Sequence, residues 1–209
     1  MKEPDLFRRL REELKRAVRV LLEEQLRGRT GERLYAVLFD VDVSETYAAP
    51  IAASEESLTR YAETYVAKGY RAKSGDSLTT LRATNRWDAP GDNMIGWHTT
   101  DETEAKAVAQ IIGQAVKAGL IEEYDKSQPL RRLCVEALRE LDSEGTFGRG
   151  AERGDVLIGT SCVDVGFADA EEDIEELASL NPPETIARLR NELAVAAVAY
   201  ESLIRPSSK

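Results

Sequence analysis

Two aspartates, two residues apart, are the side chains of this sequence best suited to catalysis. The stretch FDVDVS places Asp40 and Asp42 at the end of an apolar run. Residues two apart in a β-strand lie on one face, so both carboxylates would lie on one side of the strand, as a Mg²⁺ site requires. The same pattern also fits two solvated aspartates at a strand end, and the sequence leaves both interpretations open.

The Asp-x-Asp pair resembles the first motif of the haloacid-dehalogenase-type phosphatases. The resemblance implies that Asp40 is the nucleophile that attacks phosphorus, that Asp42 is the acid or base, and that magnesium bridges them. The rest of that pattern is missing, because no later strand ends in a second acidic pair and the aspartate of GDVLIG precedes its strand. A magnesium-dependent hydrolase is therefore the alternative function.

The remaining catalytic residue types are scarce. His98 is the one histidine, and Cys134 and Cys162 are the two cysteines. Every Cys–His or Ser–His pair would have to use His98, and no serine lies in a G-x-S-x-G turn. One histidine with two distant cysteines does not match a zinc site. We expect buried, reduced thiols, a structural histidine and no cofactor.

The stretch NRWDAPGDNMIGWH contains both tryptophans. Arg86 precedes Trp87, and His98 follows Trp97. Large aromatic side chains with arginine in an irregular segment are typical of the residues that dominate protein–protein interfaces. The alternative is that both rings are held in the core to fix a long loop. These four residues are our candidate binding residues.

A glycine-rich stretch, LDSEGTFGRGAERGDVLIG, invites comparison with a phosphate-binding loop. Such a loop follows a strand and precedes a helix, because the amides at the helix N-terminus face the anion. Here the order is reversed, with a helix before the glycines and a strand after them. We therefore interpret Gly145 as a left-handed helix stop rather than part of a nucleotide site.

The charge is acidic and unevenly distributed. The net charge of the 209 residues is −10, and residues 99–209 hold 12 basic and 22 acidic side chains. A net-negative protein repels phosphate backbones, so we expect no nucleic-acid partner, whereas a basic protein would be attracted. No apolar run approaches a membrane span, and the N-terminus lacks an apolar signal core. We therefore expect a cytoplasmic protein that does not enter membranes.

The predicted elements do not alternate regularly between helix and strand. Apolar residues spaced three and four apart predict a first helix over about residues 4–27, its basic side chains on a solvated face. LYAVLFDVDV predicts a central strand with Tyr35, Val37 and Phe39 on one face. YAAPIAAS predicts its partner strand. Pro50 indicates that this partner lies at an edge of the sheet or starts irregularly.

Later segments complete the prediction. Ser54 caps a second helix that Gly69 closes. SLTTLRATNRW is interpreted as a strand and MIGWH as a short extended piece. A helix is predicted from the Thr99/Glu102 capping box, which Gly119 ends or interrupts. The elements that follow are predicted as a helix from Pro129, a strand DVLIGTSCV and an acidic helix DAEEDIEEL. Asn181 is predicted to cap a last helix with a buried stripe of Ile186, Leu189, Leu193, Ala197, Tyr200 and Ile204.

This order indicates an α+β fold with a mostly antiparallel or mixed sheet packed by amphipathic helices. We expect residues 1–209 to form a single globular domain, with the first helix packed on it.

The order of these pieces resembles a bacterial family known as domain of unknown function 4303. The resemblance rests on LYAVLFDVDV, YAAPIAASEESL, RW, LCVEALRELDSEGTFG, VLIGTSCVDV and LNPPE, and runs from about Leu34 to Pro183. It implies a small cytosolic protein that binds another protein, as toxin-immunity proteins do. The principal hypothesis is therefore a non-enzymatic, immunity-type binding module with a basic partner.

Overall fold

A computed structural model describes residues 4–28, 31–42, 47–87, 97–99, 102–121, 127–161 and 170–204. This part of the chain forms helices α1 (Asp5–Gly28), α2 (Glu55–Ala67), α3 (Ser77–Asn85), α4 (Glu102–Lys117), α5 (Ser127–Glu144), α6 (Ala151–Gly154), α7 (Ala170–Ala178) and α8 (Pro183–Glu201). Its strands are β1 (Leu34–Asp42), β2 (Tyr47–Ser54), β3 (Arg71–Ala72), β4 (Trp97–Thr99), β5 (Leu157–Ser161) and β6 (Leu203–Ile204).

The main sheet is mixed and has the strand order β4-β2-β1-β5. The β1–β2 pair is antiparallel, and β5 joins the other side of β1 in parallel. A separate two-stranded sheet pairs β3 with β6. The predicted α+β class with a mixed sheet is confirmed, and β1 is central as expected.

Helices cover both faces of this sheet. Val37, Phe39 and Val41 pack with α1, α4 and α5 in the larger core, whereas Ala36 and Leu38 pack with α2, α7 and α8 in the smaller one. Alternate residues of a strand point to opposite faces, so one apolar run supplies both cores. Among the described residues, no helix combines the length and the hydropathy needed to cross a bilayer.

The first helix is integrated into the larger core through the predicted apolar stripe. Leu10, Leu14, Val18 and Leu21 are fully buried. Fully burying each such side chain contributes about 1.5–3 kcal/mol. The helix extends from Asp5 to Gly28, within a residue of the predicted limits.

Part of the basic face of α1 is packed against another helix, so the predicted solvated face is only partly correct. Arg11, Lys15 and Arg19 form ion pairs with acidic residues of α5, and the Lys15 side chain is only 8% exposed. The partners on α5 are Glu136, Glu140 and Glu144.

Residues 77–85 form a helix, so the prediction of a strand was wrong. Asp76 caps α3 by accepting hydrogen bonds from the amides of Leu78 and Thr79. Leu81 and Thr84, three residues apart, form its buried side. The threonines suggested a strand because they are β-branched, but the aspartate cap and helical burial determined the outcome.

The β2 strand is not at the edge of the sheet, so the first of the two alternatives predicted from Pro50 was wrong. It lies between β1 and β4. Within the described ranges, β4 pairs with Ile51, Ala52 and Ala53 only. Pro50 pairs with Phe39 of β1 but lies before the β4 pairing, so the proline is accommodated where β2 has one described neighbour.

The beginning of α8 also differs from the prediction. The residue at its N-cap is Pro182, which offers no side-chain cap. Asn181 instead bonds both backbone groups of Ile158, with Asn181 Nδ2 donating to the carbonyl at 2.6 Å and its Oδ1 accepting from the amide at 2.9 Å. The asparagine thus acts as a hydrogen-bonding partner for β5.

The predicted buried stripe of α8 is correct in its first half only. Ile186 and Leu189 are buried, but Ala197, Tyr200 and Ile204 are exposed. The helix is apolar around its whole circumference from Leu193 to Tyr200. Periodicity therefore could not identify the side that packs.

Candidate functional site

The site is built where β1, α2, α3 and α8 meet. We call it the Arg86 cluster, which consists of Tyr35, Glu55, Arg82, Arg86, Trp87 and Glu192.

A β-bulge brings Tyr35 into the cluster. The β1–β2 register shifts between Leu34 and Ala36, so Tyr35 packs in the smaller core with Ala36, while Leu34 packs against the larger one. The prediction that Tyr35 shares a face with Val37 and Phe39 was therefore wrong, because an extra residue in a ladder reverses the alternation. The Tyr35 hydroxyl donates to the Arg86 carbonyl at 3.1 Å.

Two carboxylates and two aromatic rings surround the Arg86 guanidinium. It donates to both oxygens of Glu55, at 3.0 and 2.6 Å, and its Nε donates to Glu192 at 3.0 Å. Its Cζ lies 4.2 Å from the centroid of the Tyr35 ring. The paired hydrogen bonds to one carboxylate are the strong, orienting form of the ion pair.

Trp87 and Arg82 complete the cluster. The Trp87 indole donates to Glu192 at 3.0 Å, and its ring meets the Tyr35 ring edge-on with 5.4 Å between centroids. Arg82 donates to Glu55 at 2.8 Å. Arg86 and Glu192 are thereby held in place by contacts from separate elements.

The electrostatics keep the cluster charged at neutral pH. Burial alone would raise the pKa of Glu55, but the hydrogen bonds and charge of Arg86, followed by those of Arg82, outweigh it and lower that pKa. Burial raises the pKa of the Tyr35 hydroxyl. The carboxylate of Glu55 thus stays ionised while the phenol of Tyr35 stays neutral.

A cavity of about 190 Å³ opens beside the cluster, between α2, α3 and α8. We call it the α3–α8 cleft. Its lining combines the apolar side chains of Leu58, Ala83 and Val195 with the polar Thr79 and with three charged residues of the cluster, Arg82, Arg86 and Glu192. This arrangement can hold an apolar side chain and orient a polar group beside it.

The structure brings two of the four candidate binding residues together. Arg86 and Trp87 are both in the cluster. Trp97 and His98 belong to β4, where they pair with Ala53 and Ala52 of β2, but their side chains lie outside the described residues. Sequence reasoning missed Tyr35 and Glu192, which are distant in the chain from Arg86.

The structure describes the predicted pair of aspartates, Asp40 and Asp42, only in part. Asp40 is buried near the end of β1, whereas the side chain of Asp42 is outside the described part. Over the described ranges, no three His, Cys, Asp or Glu side chains are grouped as they would be to hold a metal ion. The magnesium-dependent hydrolase that uses Asp40 and Asp42 stays a prediction.

The glycine-rich stretch forms a helix end, as predicted for Gly145. This residue has φ of +84°, and its amide donates to the Asp142 carbonyl at 2.9 Å. The nearby Arg153 is buried and donates to the backbone carbonyls of Val156 and Leu180. Its charge is thus used within the fold rather than presented to an anion.

The described cysteine is buried. Cys134 lies in the larger core as a free thiol, and burial raises its pKa. A neutral, buried thiol is a poor nucleophile. Cys162 lies outside the described residues.

The comparisons with known proteins identify a family but no function. The model of a family described as a domain of unknown function (DUF4303) matches residues 14–182. Neither a search of curated proteins nor a search of solved structures found a match. The chain belongs to the DUF4303 family.

Proposed function

We propose that this DUF4303 protein is a non-enzymatic module of the bacterial cytosol that binds a basic protein, as an immunity protein binds its toxin. The observation that carries the proposal is the α3–α8 cleft, with Arg86 fixed at its side. Arginine and tryptophan are enriched among the residues that contribute most to protein–protein binding.

The cleft suits an anchoring side chain from a partner. Leu58, Ala83 and Val195 offer apolar contact, while Arg86 and Glu192 offer charged groups beside them. Since the ion pairs with Glu55 hold Arg86 in position, a partner would not have to order this arginine on binding. Such preorganisation lowers the entropic cost of association.

The charge of the chain supports a basic partner. Acidic side chains outnumber basic ones by 22 to 12 over residues 99–209. Complementary charge accelerates encounter and makes binding sensitive to salt. Basic proteins encoded next to this gene are the candidates to test first.

The test is calorimetric titration of the protein with such a purified basic neighbour. Ala83→Arg adds bulk and positive charge inside the cleft, so we expect affinity to fall at least about tenfold. Ala187→Arg makes the same substitution at an exposed position of α8 and should bind like the wild type. Binding by the wild type should also weaken as salt increases.

Two results would contradict the proposal. One is equal affinity of the Ala83→Arg and Ala187→Arg variants for a partner that binds the wild type. The other is Mg²⁺-dependent hydrolysis of p-nitrophenyl phosphate that Asp40→Asn abolishes, since this would make the protein an enzyme.

A further inference from the structure

A second cavity lies beside α3, on roughly the opposite side of that helix from the α3–α8 cleft. Its volume is about 190 Å³, and none of the residues that line it lines the cleft. Half of its lining is tyrosine. The lining residues are Tyr61, Tyr65, Tyr70, Leu81, Thr84, Asn85, Tyr200 and Leu203. We call it the tyrosine cavity.

Three of the tyrosine rings form a continuous wall. The centroids of the Tyr61 and Tyr65 rings are 4.6 Å apart, and those of Tyr65 and Tyr70 are 4.8 Å apart. The Tyr61 hydroxyl donates to the Tyr65 hydroxyl at 2.9 Å, and Tyr61 is buried. The fourth ring, Tyr200, comes from the end of α8 and is 48% exposed. The wall is therefore fixed by contacts within the protein, and a ligand would not have to order it.

The lining favours a positively charged ligand. The Thr84 hydroxyl and the Asn85 amide donate to carbonyls of α3, at 2.8 and 2.6 Å, so these donors are directed at the helix rather than at an anion. The faces of aromatic rings carry partial negative charge and attract cations. The ammonium of Lys68 already lies 5.1 Å from the centroid of the Tyr65 ring. Lys68 does not line the cavity, and its ammonium therefore leaves the cavity unfilled.

We propose that the tyrosine cavity binds a quaternary ammonium group, as found in choline and in trimethylated lysine. An unmodified lysine or arginine brings N–H donors that need acceptors, and none of the described lining residues carries a carboxylate. A quaternary ammonium has no N–H group, and aromatic side chains are the usual recognition element for it. The size also fits, since about 150 Å³ is enough to hold a benzene molecule.

The test is an NMR titration of the protein with choline that follows the methyl protons of the ligand. We expect a dissociation constant of about 1 mM or lower, with the methyl signal shifted upfield because the ring faces shield it. The matched control is 3,3-dimethyl-1-butanol, which has the shape of choline without the charge. It should bind at least about tenfold more weakly. Equal affinity for the two compounds would show an apolar cavity and overturn the proposal.

Variants of the partly exposed Tyr200 test the ring itself. Tyr200→Leu removes the aromatic face and should weaken choline binding at least about tenfold, whereas Tyr200→Phe keeps that face and should stay within about twofold of the wild type. Equal affinity of these two variants contradicts recognition by the ring. Lys68→Met removes a neighbouring positive charge and should tighten choline binding, so weaker binding by this variant would also overturn the proposal.

A parallel titration with a trimethyl-lysine peptide identifies the source of the ammonium group. Tighter binding of the peptide assigns the cavity to a modified protein side chain, and tighter binding of choline assigns it to a small molecule.

The proposal does not rest on the proposed function, and the two can fail separately. Ala83→Arg, which should weaken a basic partner at the α3–α8 cleft, should leave choline binding within about twofold of the wild type. Absence of choline binding up to about 10 mM overturns the present proposal whatever the partner titration shows.

Discussion

Arg86 connects more elements of this protein than its position at the end of α3 suggests. Its guanidinium joins α2 through Glu55 and α8 through Glu192, and it covers the Tyr35 ring of β1. Only 14% of its side chain is exposed, so the charge is partly removed from water. Loss of Arg86 would remove a hydrogen-bonding partner from both Glu55 and Glu192 at the side of the α3–α8 cleft.

We expect Arg86→Lys to cost about 2 kcal/mol of unfolding free energy, because lysine cannot make the paired hydrogen bonds to Glu55. Trp87→Phe keeps a ring but loses the indole donor and should cost about 1 kcal/mol. Urea unfolding measures both. As a control, Arg33→Lys alters a largely exposed pair with Glu56 and should change stability by less than about 0.5 kcal/mol. An equal loss of unfolding free energy in Arg33→Lys and Arg86→Lys would contradict a specific contribution of the Arg86 cluster to stability.

At the scale of elements, α1 and α5 are held in register by charge. Arg11 contacts Glu136, Lys15 contacts Glu140 and Arg19 contacts Glu144. Both sets advance by four residues, so the helices run parallel and each turn of one meets a turn of the other. Hydrogen bonding to Glu140 raises the pKa of Lys15 in spite of the opposing effect of burial. These pairs add to the apolar packing beneath them.

We expect Lys15→Met to lower the free energy of unfolding by about 1 kcal/mol at low salt, because Met retains the apolar stem but not the charge. The difference from wild type should shrink at high salt, which screens the lost attraction. Chemical unfolding at two salt concentrations measures this difference in unfolding free energy. Arg8→Met removes an exposed pair with Asp5 and serves as the control. If the loss of unfolding free energy in Lys15→Met does not change with salt, the register of the two helices is not set by charge.

For the whole molecule, carboxylates with lowered pKa values make stability depend on pH. Glu55 and Glu144 have pKa values held below their ordinary value of 4.5, the first by Arg86 and the second by Arg19 and Lys15. A carboxylate with a lowered folded-state pKa stabilises the protein above its unfolded pKa. That stabilisation is lost as the pH falls through the folded value.

We therefore expect the urea midpoint of the wild type to fall as the pH drops from about 6 to below about 4. Glu55→Gln should be less stable at neutral pH, where it lacks the charge, and its midpoint should fall less over the same interval. Glu152→Gln removes an exposed carboxylate of α6 and should follow the wild type. A urea midpoint that falls more steeply with decreasing pH in Glu55→Gln than in the wild type would contradict a lowered pKa of Glu55 in the folded state.

The candidate site could be predicted only in part. The adjacency of Arg86 and Trp87 in an irregular segment indicated binding residues, and the structure places both in the Arg86 cluster, where Arg86 lines the cleft. Glu192 gave no signal, because it lies 105 residues beyond Trp87 and its sequence context resembles that of any other helix glutamate. Tyr35 appeared to belong to the opposite face, because a bulge cannot be read from strict alternation.

Local chemistry in the sequence was sufficient to predict α1, the β1–β2 pair, the Ser54 cap of α2 and the glycine stop after α5. Each depends on periodicity, a capping side chain or a positive φ angle, which involve residues within a few positions of one another. Only the tertiary structure decided that β2 is internal and that one side of α8 stays exposed. Those outcomes depend on which distant surfaces compete to cover a segment, and burial of that kind is a property of the whole fold.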